Sequence, residues 1–240
     1  MITDHQGGLR HSTKGTMDPR LESIIDWIRR TTDTAGGRGA LVPVSGGSDS
    51  ALCFWLCAKA LPPRYAIAAY VGDGLRCRPW FESLGPLHVF PKPAHDGVAD
   101  PEALRWAMMI SHGRRERCWM VGSRNRTEDV FGTYSLASRV ATYLPLAGMW
   151  KSEVMELCGR VGVPDEILAS SRQADPACGR PQEMADIPFR SVDLFLQVKV
   201  GERPEPDLAA LCEAQLGYLE SVYRRYTFKK QLPLRPPLRN

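Results

Sequence analysis

The sequence predicts an α/β fold: a doubly wound parallel sheet of about five strands with helices on both faces. Three observations carry that expectation. Short apolar runs of strand length alternate with segments of helical periodicity. The runs are nearly continuous in their apolar character, as strands covered on both faces are. The first run feeds a glycine-rich turn and then a helix, the place where such sheets put their ligand site.

Taken in order, Leu21, Ile24, Ile25 and Ile28 have the spacing of an amphipathic helix, which Gly36 and Gly37 end. Residues 40–44 read as a buried strand, residues 45–50 as the glycine-rich turn, and an apolar helix begins at Ala51. Residues 66–71 and 86–90 read as strands, 101–112 as a helix, 118–123 as a further buried strand and 143–146 as the last, shorter one. Helical patterns follow at 151–161, 164–169, 189–198 and 207–226. Residues 1–20 have glycines at Gly7, Gly8 and Gly15 and no apolar periodicity, so they are expected to be a flexible extension, with Met17 an alternative start. Residues 21–230 form a single domain in this reading, and 231–240 a proline-rich tail.

Composition excludes several classes. A chain of 240 residues with 43% hydrophobic and 24% charged residues is neither a disordered tail nor a coiled coil. Apolar runs such as residues 51–61 are broken by Lys or Pro well short of the ~20 residues a membrane span requires. The polar first twenty residues lack the apolar core of a secretory signal, so a cytoplasmic protein is expected. Seven cysteines without metal-ligand spacing point to reduced thiols, and Cys53 and Cys57, one helical turn apart, read as core packing. A net charge of +4, spread along the chain, suits small anionic ligands such as nucleotides and does not single out nucleic acid.

The turn Ser45-Gly46-Gly47-Ser48-Asp49-Ser50 carries the chemistry. Between a strand and a helix N-terminus, backbone N–H groups and the positive end of the helix dipole converge on one point, where an anion is stabilised. Adjacent glycines allow a sharp turn and close approach, the serine hydroxyls add donors, and Asp49 can hold a divalent cation against phosphate oxygens. The turn lacks the Gly-Lys-Ser/Thr of a Walker loop and the Gly-x-Gly-x-x-Gly of a dinucleotide fold. On glycine and serine content alone it reads equally well as a plain helix cap.

Ser-Gly-Gly-Ser-Asp-Ser after a buried strand resembles the pyrophosphate loop of the N-type ATP pyrophosphatases, the PP-loop superfamily, and further segments in the same order resemble the NAD synthase family, ammonia-dependent type. They are residues 122–128 (Gly-Ser-Arg-Asn-Arg-Thr-Glu), 145–154 (Pro-Leu-Ala-Gly-Met-Trp-Lys-Ser-Glu-Val), 162–168 and 228–233. The resemblance implies an adenine-nucleotide-hydrolase-like fold. It also implies an enzyme that adenylates a carboxylate, that of nicotinate adenine dinucleotide, with ATP and Mg2+, releases pyrophosphate and transfers ammonia to form the amide. It assigns catalysis to Asp49, Glu128 and Lys151, and magnesium to Asp49 and Glu128. It assigns ATP and pyrophosphate to Ser45, Gly46, Gly47, Ser48, Asp49, Ser50 and Lys151. Substrate contacts fall to Arg105, Asn125, Thr127, Asp175 and Lys229, and a homodimer is implied. No glutaminase module is expected in 240 residues, so ammonia is taken as free or supplied by a separate protein.

The sequence departs from the family pattern on one side. Residues 135–140 replace a Tyr-Gly-Asp-Gly loop and place Arg139 about where an aspartate belongs. Gln173 stands for a hydroxyl residue, Pro101 for an asparagine and Ala107 for an arginine. The pyrophosphate loop is intact while the acceptor side is altered. Two alternatives follow: a relative acting on a different carboxylate in specialised metabolism, or a nucleotide-binding homologue of weak activity serving as a partner subunit.

Overall fold

A computed structural model describes residues 17–93, 100–175 and 180–231 of the chain. Helix α1 (Pro19–Thr34) starts earlier than the sequence suggests. Proline at its first position needs no N–H partner, and Asp18 caps it by accepting from the Arg20 N–H at 2.9 Å. Pro19 and Arg20, expected in the extension, thus belong to α1; residues 1–16 and the tail from 232 lie outside the described residues.

Strand β1 (Gly39–Pro43) leads into α2 (Ser48–Ala60), then β2 (Ala66–Val71), α3 (Arg78–Leu84), β3 (Leu87–Phe90), α4 (Pro101–Glu116) and β4 (Cys118–Met120). The four strands are parallel in the order β3-β2-β1-β4. The chain thus leaves β1 toward one edge and returns to its other side for β4. That reversal opens a crevice at the carboxyl ends of β1 and β4, where ligands of open α/β sheets bind.

Alternation along β1 separates the two faces. Ala40 and Val42 pack with α1 and α2, whereas Leu41, with Ile67 and Met120, packs against Met109 and Trp106 of α4. Helix α2 has ten of its thirteen residues buried, so it has no solvent face and serves as the central helix of the larger core. The expected fifth strand at residues 143–146 is reduced to a single parallel bridge between Val121 and Tyr143. Pro145 has no N–H to extend a ladder, and the chain turns at once, with Ala147 and Met149 donating back to Leu144 and Leu146.

Five more helices come next, with a short 3-10 turn (Leu136–Val140) between the first two: α5 (Arg126–Phe131), α6 (Lys151–Arg160), α7 (Asp165–Arg172), α8 (Gln182–Ala185) and α9 (Phe189–Lys199). The helix expected over 207–226 is divided into a 3-10 turn (Glu205–Ala210) and α10 (Glu213–Tyr226). Leu211 is buried between the two, and the Cys212 N–H is met by Gln215, which starts a new helix there. Phe131, Trp150, Val192, Phe195 and Leu219 form a second apolar cluster, away from the sheet. The cavity described below lies where this cluster meets the switch point.

At the sheet edge, His88 of β3 and the buried His112 of α4 share one proton, Nδ1 to Nε2 at 2.6 Å, with Arg115 3.4 Å and Glu116 4.0 Å from the other His112 nitrogen. Burial, then the facing His88, lowers the His112 pKa below 6.5, against the opposing pull of Glu116. The unfolded chain therefore binds more protons, and stability falls as pH drops below about 6.5. Urea unfolding between roughly pH 7 and pH 5 should show a shallower loss in a His112→Gln variant than in the parent; equal slopes would assign the loss elsewhere.

Candidate active site

The turn after β1 owes its shape to Gly46, whose φ of +78° belongs to the left-handed region that a side chain disfavours. The Gly46 carbonyl accepts from Arg76 at 3.1 Å, and the same Arg76 atom reaches Ser170 Oγ at 2.8 Å. Inside the turn the Ser50 hydroxyl donates to the Gly47 carbonyl, accepts from the Ser45 N–H at 3.1 Å and lies 3.2 Å from Ser45 Oγ. The Ser48 N–H, at the start of α2, donates to Ser171 Oγ at 3.0 Å. Local sequence makes the turn; α7 holds it.

Asp49, on the first turn of α2, is the centre of the site. One carboxylate oxygen accepts from Asn125 Nδ2 at 2.8 Å, and the other pairs with the Lys151 ammonium. Lys151 also donates to Ser48 Oγ at 2.8 Å, and it is buried, not the surface lysine that its place at a helix start suggests. Asn125 caps α5 by accepting from the Glu128 N–H, while Glu128 accepts from the Asn125 N–H at 3.1 Å. This box fixes Glu128 on the cavity wall near Asp49. Withdrawal from water, and then the Asp49 charge, pushes the Glu128 carboxyl up to about 7.

A second relay stands behind the first. Thr127 Oγ donates to buried Asp193 at 2.5 Å and accepts from the Lys151 N–H at 2.8 Å; the other Asp193 oxygen accepts from the Ser152 N–H. Asp193 thereby holds the first turns of α5 and α6 in register. Burial raises its pKa, and these hydrogen bonds oppose the rise.

The residues surround a cavity of about 380 Å3, within the range of small-ligand sites. Of the residues singled out from sequence, Ser45, Gly47, Asp49, Ser50, Asn125, Thr127, Glu128, Lys151 and Asp175 line it. Gly46 and Ser48 lie behind the lining, the first making the turn and the second holding Lys151. Arg105 is exposed on α4 and does not line the cavity. Lys229 does not line it either; its ammonium donates to the Tyr134 carbonyl at 2.6 Å, next to the lining residue Thr133.

Sequence reasoning passed over Arg76, Ser170, Ser171, Arg180 and Phe189, which also line the cavity, and Asp193 behind it. Only Asp193 left a local signal, an acidic residue beside Val192, Phe195 and Leu196 on the buried stripe of a helix. The others reach the cavity from separate parts of the chain, Arg76 from before α3, Ser170 and Ser171 from α7, Arg180 from beyond it and Phe189 from the start of α9, an approach that no local pattern encodes.

Comparison with known proteins agrees with this geometry. Residues 101–233 match the family model described as NAD synthase. The chain is 25% identical over 244 residues to the NH(3)-dependent NAD(+) synthetase of Methanosarcina acetivorans, with 90% of this chain and 95% of that protein covered. It is 27% identical over 247 residues to the enzyme of the same name from Methanosarcina mazei, covering 90% and 96%. Among solved structures it resembles the NH3-dependent NAD synthetase of Campylobacter jejuni, with a TM-score of 0.74 at 15% identity, over 92% of this chain and all of that one.

The Glu128 carboxyl is harder to ionise in the folded chain than in the unfolded one, so above about pH 7 its charge opposes folding, and near pH 4.5 it costs nothing. Glu128→Gln keeps an acceptor for the Asn125 N–H and removes the charge. The variant should melt higher than the parent by a few degrees at about pH 8, with the gap closing as pH falls toward 4.5. A lower melting point at every pH would show that the carboxylate stabilises the fold.

Proposed function

Because the chain belongs to the NAD synthase family, we propose that it is an ATP-dependent amide ligase that adenylates the carboxylate of nicotinate adenine dinucleotide, releases pyrophosphate and transfers ammonia to give NAD. The observation that carries this reading is the convergence of Asp49, Glu128 and Lys151 on the first turn of α2, at the crevice between β1 and β4.

In this reaction the acceptor carboxylate attacks the α-phosphorus of ATP, and the bond to the bridging oxygen breaks. Ammonia then attacks the acyl carbon, AMP leaves with the electron pair of the acyl–oxygen bond, and the new amide nitrogen gives up a proton to solvent. The first step concentrates charge on the leaving pyrophosphate, and catalysis lies in fixed donors that meet it. Ser45, Ser50 and the amides of the turn, with the α2 dipole behind them, bind the phosphates. Lys151 moves from Asp49 to a phosphate oxygen as the nucleotide enters. Asn125 and Thr127, whose polar atoms are spent within the protein, position Asp49 and Lys151.

The donor set fits magnesium, since two carboxylates face the cavity and the charge of one raises the pKa of the other, a repulsion that a hard divalent cation relieves. Asp49 and Glu128 would hold it, and the ion would supply charge neutralisation on the phosphates.

One observation favours a second reading, in which the acceptor is a different carboxylate. Arg105 lies away from the cavity, and the Lys229 ammonium is turned to Tyr134. The acceptor side in this reading is the cavity wall at Thr133, next to which Lys229 bonds to Tyr134 and Arg139 reaches the Lys229 carbonyl at 3.4 Å. For partners we propose a second copy of the chain, joined through the exposed Leu136, Val140 and Phe228, and ammonia that is free or delivered by a separate protein. Among the described residues no helix is long and apolar enough to cross a membrane; a cytoplasmic location is part of the proposal.

The parent should catalyse ATP–pyrophosphate exchange that depends on nicotinate adenine dinucleotide, and form NAD and AMP when ammonium is added. Exchange with another carboxylate only would establish the second reading, and exchange with none would remove both. Asp49→Asn should lower exchange by about 100-fold or more. Asp49→Ala is the poorer test: sequence alone suggests an intact fold, yet it strands the buried Lys151 charge, which costs about 3 kcal/mol. Light scattering at micromolar concentration should give twice the 26.7 kDa chain mass; a monomer would remove the dimer.

A further inference from the structure

Arg180 enters the cavity with no role from the resemblance. Its backbone N–H and carbonyl are both bonded to Asp175, at 2.9 and 2.7 Å, so the root of the side chain is fixed beside the wall that holds Gln173 and Asp175. The guanidinium carbon stands 4.2 Å from the centroid of the Phe189 ring. The Lys151 ammonium is 5.5 Å from the centroid of the same ring. One aromatic side chain thus carries two cations, both within reach of a single extended triphosphate.

The three cations that line the cavity are not in the same condition. Lys151 is met by Ser48 and Asp49, and Arg76 by the Gly46 carbonyl, Ser170 and Glu166. The Nε of Arg180 is buried and has no hydrogen-bond partner among the described residues. A guanidinium keeps its charge at any working pH, so a buried donor left unmet in the free protein is a donor held for an anion. Its planar fork suits two oxygens of one phosphate. The position also answers a loss. Gln173 on the same wall stands where the resemblance expects a hydroxyl toward phosphate, and Arg180 brings a charged fork to that wall.

We propose that Arg180 is a specificity-determining residue of the ATP site: with Lys151 across Phe189, it binds the β- and γ-phosphates and retains them as pyrophosphate when the bond to the α-phosphorus breaks. The inference rests on the ligase reading above and adds to it the residue that grips the leaving group. Arg180 gives or takes no proton; it neutralises charge that grows on the leaving oxygens as the bond breaks.

Binding of inorganic pyrophosphate, with magnesium, and of AMP is measured by calorimetry on the parent, Arg180→Gln and Arg180→Lys. Loss of a charge-assisted fork should weaken pyrophosphate binding in Arg180→Gln by about 10- to 100-fold. AMP, which lacks the β- and γ-phosphates, should bind to all three within about twofold, and Arg180→Lys should lie between the other two. Product inhibition by pyrophosphate should weaken in the same order. The Arg180→Gln melting point should match or exceed that of the parent, since an unmet buried donor is removed. Parental pyrophosphate affinity in Arg180→Gln overturns the inference and leaves the ligase reading standing. So does a rise in the KM of the acceptor alone, which would put Arg180 on the acceptor side, or a collapse of the melting point, which would make it structural. A parent that binds neither ATP nor pyrophosphate overturns the ligase reading, and the inference with it.

Discussion

The Lys151 ammonium lies between Ser48 and Asp49, and through it the first turn of α6 is tied to the first turn of α2. Parting a buried ammonium from its carboxylate is costly, so the pair holds the two helix starts together. The remaining contacts extend from that pair. Asn125 brings α5 to the free side of Asp49, and Thr127 passes the Lys151 N–H on to Asp193 of α9. Four helix N-termini, those of α2, α5, α6 and α9, are thereby placed around one cavity. Such ends carry partial positive charge, the surroundings that a polyphosphate requires.

The same site is electrostatically uneasy in the free protein. Glu128 is held near Asp49 by its capping box, and its carboxyl resists ionisation. On the other wall the buried Arg180 Nε has no hydrogen-bond partner among the described residues. A carboxylate pair that wants a cation and a guanidinium that wants an anion are complementary to one ligand type, a metal-bound polyphosphate. Stability is given up at both positions for that complementarity.

The cavity has two walls of different origin. The sheet and its helices supply the turn, Asp49 and the α5 cap. The C-terminal apolar cluster supplies Phe131 and Val192, the start of α9 supplies Phe189, and the segment before it supplies Gln173, Asp175 and Arg180. The first wall is the part that the resemblance describes best. The second carries one of this chain's departures, Gln173.

The sequence by itself determined the parallel sheet, because buried strands must be nearly all apolar, and it located the turn, because only glycine accommodates the backbone of Gly46 cheaply. It also picked out Asp49, Glu128 and Lys151, which lie in contiguous motifs at element starts. It overstated the fifth strand, since an apolar run does not reveal that Pro145 and an immediate turn limit pairing to one bridge. Only the tertiary structure decided that Asn125 and Thr127 spend their polar atoms on Asp49, Lys151 and Asp193. It alone showed that Ser171 caps α2, and that Arg180 and Lys151 meet over Phe189. Those are contacts between residues far apart in the chain. Local pattern fixes which face of an element is apolar, but the partner across a cavity is set by how whole elements dock, and no periodicity along the chain records that.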